Sequence, residues 1–416
     1  MAGDTGSADD VGDLGQPVED QGAGREPMKS FRHVIPSLRI YQGTDSLDML
    51  GPELDRLGCR RAVIFVGKTL ASAGSVLDVV RAAIGDRLAG TCSGVEADTP
   101  LPAVESAILE LERLRADAII PVGGGSAMTF ARAVNILHAE KGDARQLCTA
   151  RDPATGRLNS PRLPARKLPV IALPTTPTTA TVKAGSAIHD TAQQRRLVLF
   201  DPKARAGAVL LHPALLQSAP RGLIVGAALN TLALALEGLM ARHGDPLADA
   251  MLIHATRLLV KRLPEVRDSD DLDIRADLMA ASILTGHGSD YAGAGMAIAI
   301  GHAIATRFRI ETGVSNAIML PHAVCFNSGA ARAGLEKIAS AVGVGTAGIP
   351  AEAAVLQMLD TLFGSLGLPR CLRDVGVSRD SLAGLAAMSF DDWFLQGNPR
   401  PVRDCAELER VLEEAW

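Results

Sequence analysis

Ala118-Ile-Ile-Pro-Val122 runs directly into Gly123-Gly124-Gly125-Ser126, and a helical pattern follows over residues 127–139. Successive glycines open backbone angles closed to other residues and let a ligand approach the main chain. A helix start just behind them offers unpaired N–H groups and the positive end of the helix dipole, which is the chemistry of a phosphate site. A bare strand-to-helix turn is the alternative, but three glycines in succession exceed what a turn needs. Met128 stands where the last glycine of a G-x-G-x-x-G fingerprint would fall, so this turn is not that motif. The six cysteines (Cys59, Cys92, Cys148, Cys325, Cys371 and Cys405) form no C-x-x-C pair and read as reduced, buried or incidental thiols.

The elements that must position such a turn are legible around it. Residues 61–66 read as a buried strand, 69–84 as a helix, 89–92 as a second strand and 100–115 as a helix with apolar positions at i, i+3 and i+4. Further strands fall at 118–122, 170–173 and 197–200. Strands alternating with helices imply a mostly parallel sheet covered on both faces. Residues 141–168, rich in Arg, Pro, Asn and Gly, read as a loop excursion. After Asp201-Pro202 the pattern becomes helical, with candidates at 222–242, 246–263, 271–288, 293–308, 314–328, 332–342, 350–366, 379–388 and 404–415. The expected organisation is a disordered tail over 1–29, an α/β Rossmann-like domain over 30–205 and an all-α domain over 206–416. No internal repeat marks a solenoid.

Composition narrows the function. Of 416 residues 47% are apolar, enough for a large core, and the net charge of −5 leaves no basic surface for nucleic acid. Aromatics at 3% argue against base-stacking platforms. Apolar stretches are broken by Gly, Thr or charge before reaching the length of a membrane span. The Gly-, Asp- and Glu-rich start lacks the features of a signal or transit peptide, which makes the cytoplasm the default address.

Pro121–Ser126, Ile171-Ala-Leu-Pro-Thr-Thr176, Asn316-Ala-Ile-Met-Leu-Pro-His322 with Asn327, and Asn398-Pro-Arg400 occur in the order seen in iron-containing alcohol dehydrogenases. The resemblance spans about residues 30–416. It implies a Rossmann-like dinucleotide domain, a helical C-terminal domain and an active site between them, in a homo-oligomer (a dimer or larger). By resemblance, Gly123, Gly124, Gly125 and Ser126 hold the cofactor pyrophosphate. Where the family often has Thr-Gly-Ser-Glu, this chain reads Pro174-Thr-Thr-Pro-Thr-Thr-Ala-Thr-Val-Lys183. Thr175, Thr176, Thr178 and Thr179 can offer hydroxyls to a phosphate or to the nicotinamide amide; a threonine-rich hairpin is the alternative. The first strand ends in Gly67-Lys68 where a carboxylate would select the ribose of NAD. A missing acid beside a lysine leaves room for a 2′-phosphate, so NADP fits at least as well as NAD.

The departures bear on the metal. The family's ion is held by an Asp and a His four residues apart on one helix and by two His fourteen apart. The matching positions here are Asn230, Leu234, Ile298 and Thr312. Leu and Ile cannot ligate, and Asn and Thr are weak, neutral donors, so no iron or zinc is expected there. His302 matches the family's non-ligand histidine of the cleft. Maleylacetate reductases resemble the chain in having Asn for the first ligand Asp and no Asp after the glycine turn. The expected activity is a metal-independent, NAD(P)H-dependent reduction of a small carbonyl or oxo-acid. His302, Lys183 and Asn230 are the candidate catalytic residues: His302 as proton donor, Lys183, Arg307 or Arg309 as holder of a substrate carboxylate. Reuse of the fold for a lyase, an isomerase or ligand binding is the alternative.

Overall fold

The computed structural model describes residues 30–416 apart from 73, 194, 346 and 347. The expected disordered tail, residues 1–29, lies outside the described residues. Ten strands occur among the described residues: β1 (Arg39–Gln42), β2 (Ala62–Gly67), β3 (Leu88–Val95), β4 (Ala118–Gly123), β5 (Ala150–Arg151), β6 (Leu158–Asn159), β7 (Ile171–Pro174), β8 (Gly185–Asp190), β9 (Arg195–Phe200) and β10 (Ala208–Leu211). Six form one sheet in the order β1-β10-β7-β4-β2-β3, every pairing parallel.

Alternating side chains of these strands feed two cores. Val63, Phe65 and Ile119 pack on one face with α4 (Leu101–Leu114) and α5 (Gly125–Glu140). Ala62, Ile64, Val66, Ala118 and Ile120 pack on the other with the helices over 50–56 and 75–84. A sheet buried on both faces needs continuous apolar strands, and for that reason β2 and β4 are readable from sequence alone. The helix expected over 69–84 is broken at Gly74, whose φ of +57° is left-handed.

Two expectations change. Leu197–Phe200 belongs to an antiparallel hairpin of β8 and β9, outside the parallel sheet. The domain boundary at 205/206 falls too early, because β10 lies beyond it and pairs with both β1 and β7. Its short apolar run leads at once into an apolar helix, so strand and helix periods are indistinguishable there.

The helical half contains α8 (Arg221–Met240), α9 (Pro246–Asp268), α10 (Leu272–Ala292), α11 (Met296–Phe308), α12 (Thr312–Asn327), helices over 332–342 and 351–365, α15 (Leu382–Phe390) and a last helix over 405–415. Contrary to the sequence expectation, α8 is long and apolar enough to cross a membrane by length and composition. It is the buried centre of this half, packed by α9, α10, α11 and α12, and a helix enclosed all round is apolar all round.

Candidate active site

The glycine turn sits at the topological switch point of the sheet. From β2 the chain crosses to β3 on one side, whereas from β4 it leads to β7 on the other. Ligands of open α/β sheets bind outside the carboxyl ends of the strands at such a point. Gly67 ends β2, Gly123 ends β4, and Thr175 and Thr176 follow Pro174 at the end of β7, so the predicted cofactor residues converge on three adjacent strand ends. Gly123 has φ +142°, open to glycine and strained for other residues. A Cβ on Gly124 would meet Thr176 Oγ1 at 3.0 Å, and one on Gly125 would meet Thr178 Oγ1 at 3.0 Å. The threonine segment is therefore packed directly on the turn, with Thr175 N donating to Gly123 O at 3.0 Å. It is a tight 3-10 turn over Thr179–Thr181 capped by Thr178, and not a hairpin. Helix α5 begins without a side-chain cap, which leaves its first amides to a ligand. Ser126 is exposed there, as is Lys68 beside Gly67.

His302, on α11, is held from behind. Its Nδ1 lies 2.9 Å from Asp392 Oδ2, and Arg196 of β9 donates to the same oxygen at 3.0 Å. The Asp392 side chain is 7% exposed against 21% for His302. The imidazole and Arg196 hold the Asp392 carboxyl down to about 2 despite its burial. Phe394 lies beside the ring at 5.7 Å. Neither Asp392 nor Arg196 stood out in the sequence. Asp392 lies six residues before Asn398, and no local pattern connects it to a histidine 90 positions away.

A buried scaffold fixes α11. Glu237 of α8 accepts from the backbone N–H groups of Gly295, Ala297 and Ile298 at 2.9, 2.7 and 3.1 Å. Burial pushes its carboxyl up to about 7. Asn398 Oδ1 accepts from Met296 N at 3.1 Å, and its amide pairs reciprocally with Asn327. Thr231 Oγ1, on α8, donates to Pro177 O at 2.8 Å and joins the helical half to the threonine turn.

Comparison with known proteins decides the family. The model for "Iron-containing alcohol dehydrogenase" matches residues 36–213, and that for "Fe-containing alcohol dehydrogenase family, C-terminal" matches residues 224–416. The chain belongs to the iron-containing alcohol dehydrogenase family. It is an oxidoreductase of that family. It is 28% identical to lactaldehyde reductase of Escherichia coli (strain K12) over 384 residues, 90% of this chain and 97% of the relative. It is 26% identical to maleylacetate reductase of Sphingobium indicum over 371 residues, 88% of this chain and 92% of the relative. The solved alcohol dehydrogenase from Oenococcus oeni superposes with a TM-score of 0.84 at 22% identity, covering 93% of this chain and 100% of that one, a likeness of fold.

The family's name implies iron, and the donors present do not fit it. Leu234 and Ile298 are buried hydrocarbon side chains at 4% and 2% exposure. The carbonyl oxygen of Asn230 accepts from Asn316 Nδ2 at 2.8 Å and ties α8 to α12. Among the described residues no three His, Cys, Asp or Glu side chains are grouped to hold an ion.

The three predicted catalytic residues have separate partners. Asn230 is bonded to Asn316, whose own Oδ1 is buried without a partner. Lys183 donates to Ser289 Oγ at 2.7 Å and Asp290 Oδ1 at 2.8 Å, while Arg205 holds the other Asp290 oxygen at 2.7 Å. Burial lowers the Lys183 ammonium pKa, and Asp290 opposes the shift. Its ammonium is tied into this cluster and is not the free cation that the sequence suggests. The partner that decides this lies over 100 positions downstream, beyond the reach of any local pattern. Arg309 is 82% exposed and pairs with Asp98, and Arg307 lies against Gly384, so both serve at the helix end. Of the three predicted catalytic residues, only His302 is an imidazole backed by a carboxylate.

Proposed function

We propose that the chain is a metal-independent NAD(P)H-dependent reductase of a small carbonyl or oxo-acid compound, acting between the sheet's carboxyl edge and the helical half. The observation that carries this is the His302–Asp392 pair beside positions where donors to an ion are replaced by hydrocarbon. A Lewis acid would stabilise the developing alkoxide by several kcal/mol. Without one, a proton donor must take that role, and positioned acids contribute roughly 10²–10⁴-fold. With Nδ1 engaged by Asp392, the Nε2–H of a protonated His302 is the group free to protonate the alkoxide.

A bound nicotinamide supplies the hydride. The amides of the Gly123–Ser126 turn would hold its pyrophosphate, and Thr175, Thr176 and Thr179 would hold the nicotinamide side. Gly67 leaves space for a 2′-phosphate, and Lys68 places a cation next to it, so NADPH is accommodated at least as well as NADH. The relatives' names, lactaldehyde reductase and maleylacetate reductase, support a small aldehyde or oxo-acid as substrate.

The test is His302→Ala, assayed with lactaldehyde and with maleylacetate. The expected result is a fall in kcat of about 10²–10³-fold with NAD(P)H affinity unchanged. Unchanged turnover would remove His302 from the chemistry. Tight NAD(P)H binding without hydride transfer to either carbonyl would favour the non-redox alternative.

A further inference from the structure

His302 does not act from a uniform environment. Asp392 and Phe394 reach it from the segment after α15, and Arg196 reaches across from β9 in the other half of the molecule. Helix α8 contributes Glu237, which caps the start of α11 and feels the Asp392 charge. Helix α12 presents the neutral Asn316, and Arg307 on α11 turns towards Gly384 of α15. Beside the pair, Asp391 is neutralised by Arg151 at 2.8 Å. Two charges therefore bear directly on the imidazole, and they oppose each other.

We propose that Asp392 and Arg196 are positioning residues that fix the tautomer and orientation of His302, so that its Nε2 donates a proton to the reaction site and is reprotonated from solvent. This rests on His302 being the proton donor. A carboxylate at Nδ1 requires a proton there, which directs Nε2 away from the scaffold as the transferring atom. Alone, that carboxylate would stabilise the imidazolium and make it a reluctant donor. Arg196 shares the same Oδ2, weakens that hold and repels the imidazolium. In the reduction, hydride adds to the carbonyl carbon, the carbonyl oxygen takes the Nε2 proton, and neutral His302 remains with Nδ1–H on Asp392. Because Arg196 comes from the nucleotide half and the pair from the helical half, the balance holds only while the halves are apposed as here.

Two variants of the full chain test this, with ¹⁵N NMR of histidine-labelled protein and His302→Gln to assign the signal. In the parent, neutral His302 is the Nδ1–H tautomer. Asp392→Asn retains an acceptor for Phe394 N–H, so the 3-10 segment stays capped. It inverts the tautomer to Nε2–H and lowers kcat by about 10² or more, since an amide behind a catalytic imidazole costs up to about 10⁴. Arg196→Gln keeps the Nδ1–H tautomer and, by removing the cation beside the imidazole, moves the alkaline limb of the kcat–pH profile upward. An unchanged tautomer in Asp392→Asn, or an unmoved profile in Arg196→Gln, overturns the proposal. Loss of activity in His302→Gln tests the proton-donor role separately, because the tautomer is read without turnover.

Discussion

The glycine turn and the α8–α11–α12 junction are the two candidate regions of the site, yet their side chains stand in different relations to the backbone. At the turn, residue type and main-chain path agree. Gly123 has a left-handed φ, and Gly124 and Gly125 lie where a Cβ would press on Thr176 and Thr178. At the junction the path agrees and the functional side chains do not. Glu237 caps α11 and Asn398 pairs with Asn327, but the aligned ligand positions carry Asn230, Leu234, Ile298 and Thr312. The comparison teaches that buried caps and amide pairs can tie these helices together where the side chains are poor donors to an ion. What stands beside this junction is a histidine oriented by a carboxylate.

Restoring a single donor to the junction is the strongest way to break this comparison. Leu234→His places an imidazole where the leucine is 4% exposed. It should destabilise the fold by about 4 kcal/mol in urea unfolding, through lost packing and an unpartnered polar group. Combining it with Asn230→Asp, Ile298→His and Thr312→His should return most of that stability on adding Zn²⁺, because binding to the folded state alone stabilises it. If Leu234→His alone is silent, Leu234 does not sit in a packed hydrocarbon contact.

A smaller effect sharpens the other side. Glu237 has a folded pKa raised from 4.5 to about 7 by burial. Between these values the unfolded chain ionises first, the folded chain holds the extra proton, and stability falls as pH rises. The expected loss from pH 4.5 to 7 is about 3 kcal/mol. Glu237→Gln should flatten that slope in unfolding measurements across the range. A parent whose stability rises through this window would show Glu237 ionised and α11 capped by a charge.

Much of this was legible in the chain. β2 and β4 are apolar runs because both sheet faces are covered, and most helices of the second half fall within a few residues of their amphipathic or apolar spans. The candidate cofactor residues converge because each ends a strand or follows one. Two strands were not legible: β1 is largely exposed and has no apolar run, and β10 leads at once into an apolar helix. Nor were long-range partners. Lys183 next to an apolar strand looks like a free cation until Asp290 is brought to it by α10. His302 looks like one histidine on an apolar helix until the fold supplies Asp392 and Arg196. Charges whose partners lie about a hundred residues away carry no local signature.

The most direct test is a nucleotide titration of chelator-treated protein whose metal content has been measured by elemental analysis. NAD(P)H fluorescence should show saturable binding at one site per chain, and carbonyl reduction should proceed at the same rate before and after chelation, with iron and zinc far below one per chain. Stoichiometric iron or zinc whose removal abolishes turnover, or a metal-free protein unable to bind either nucleotide, would contradict it.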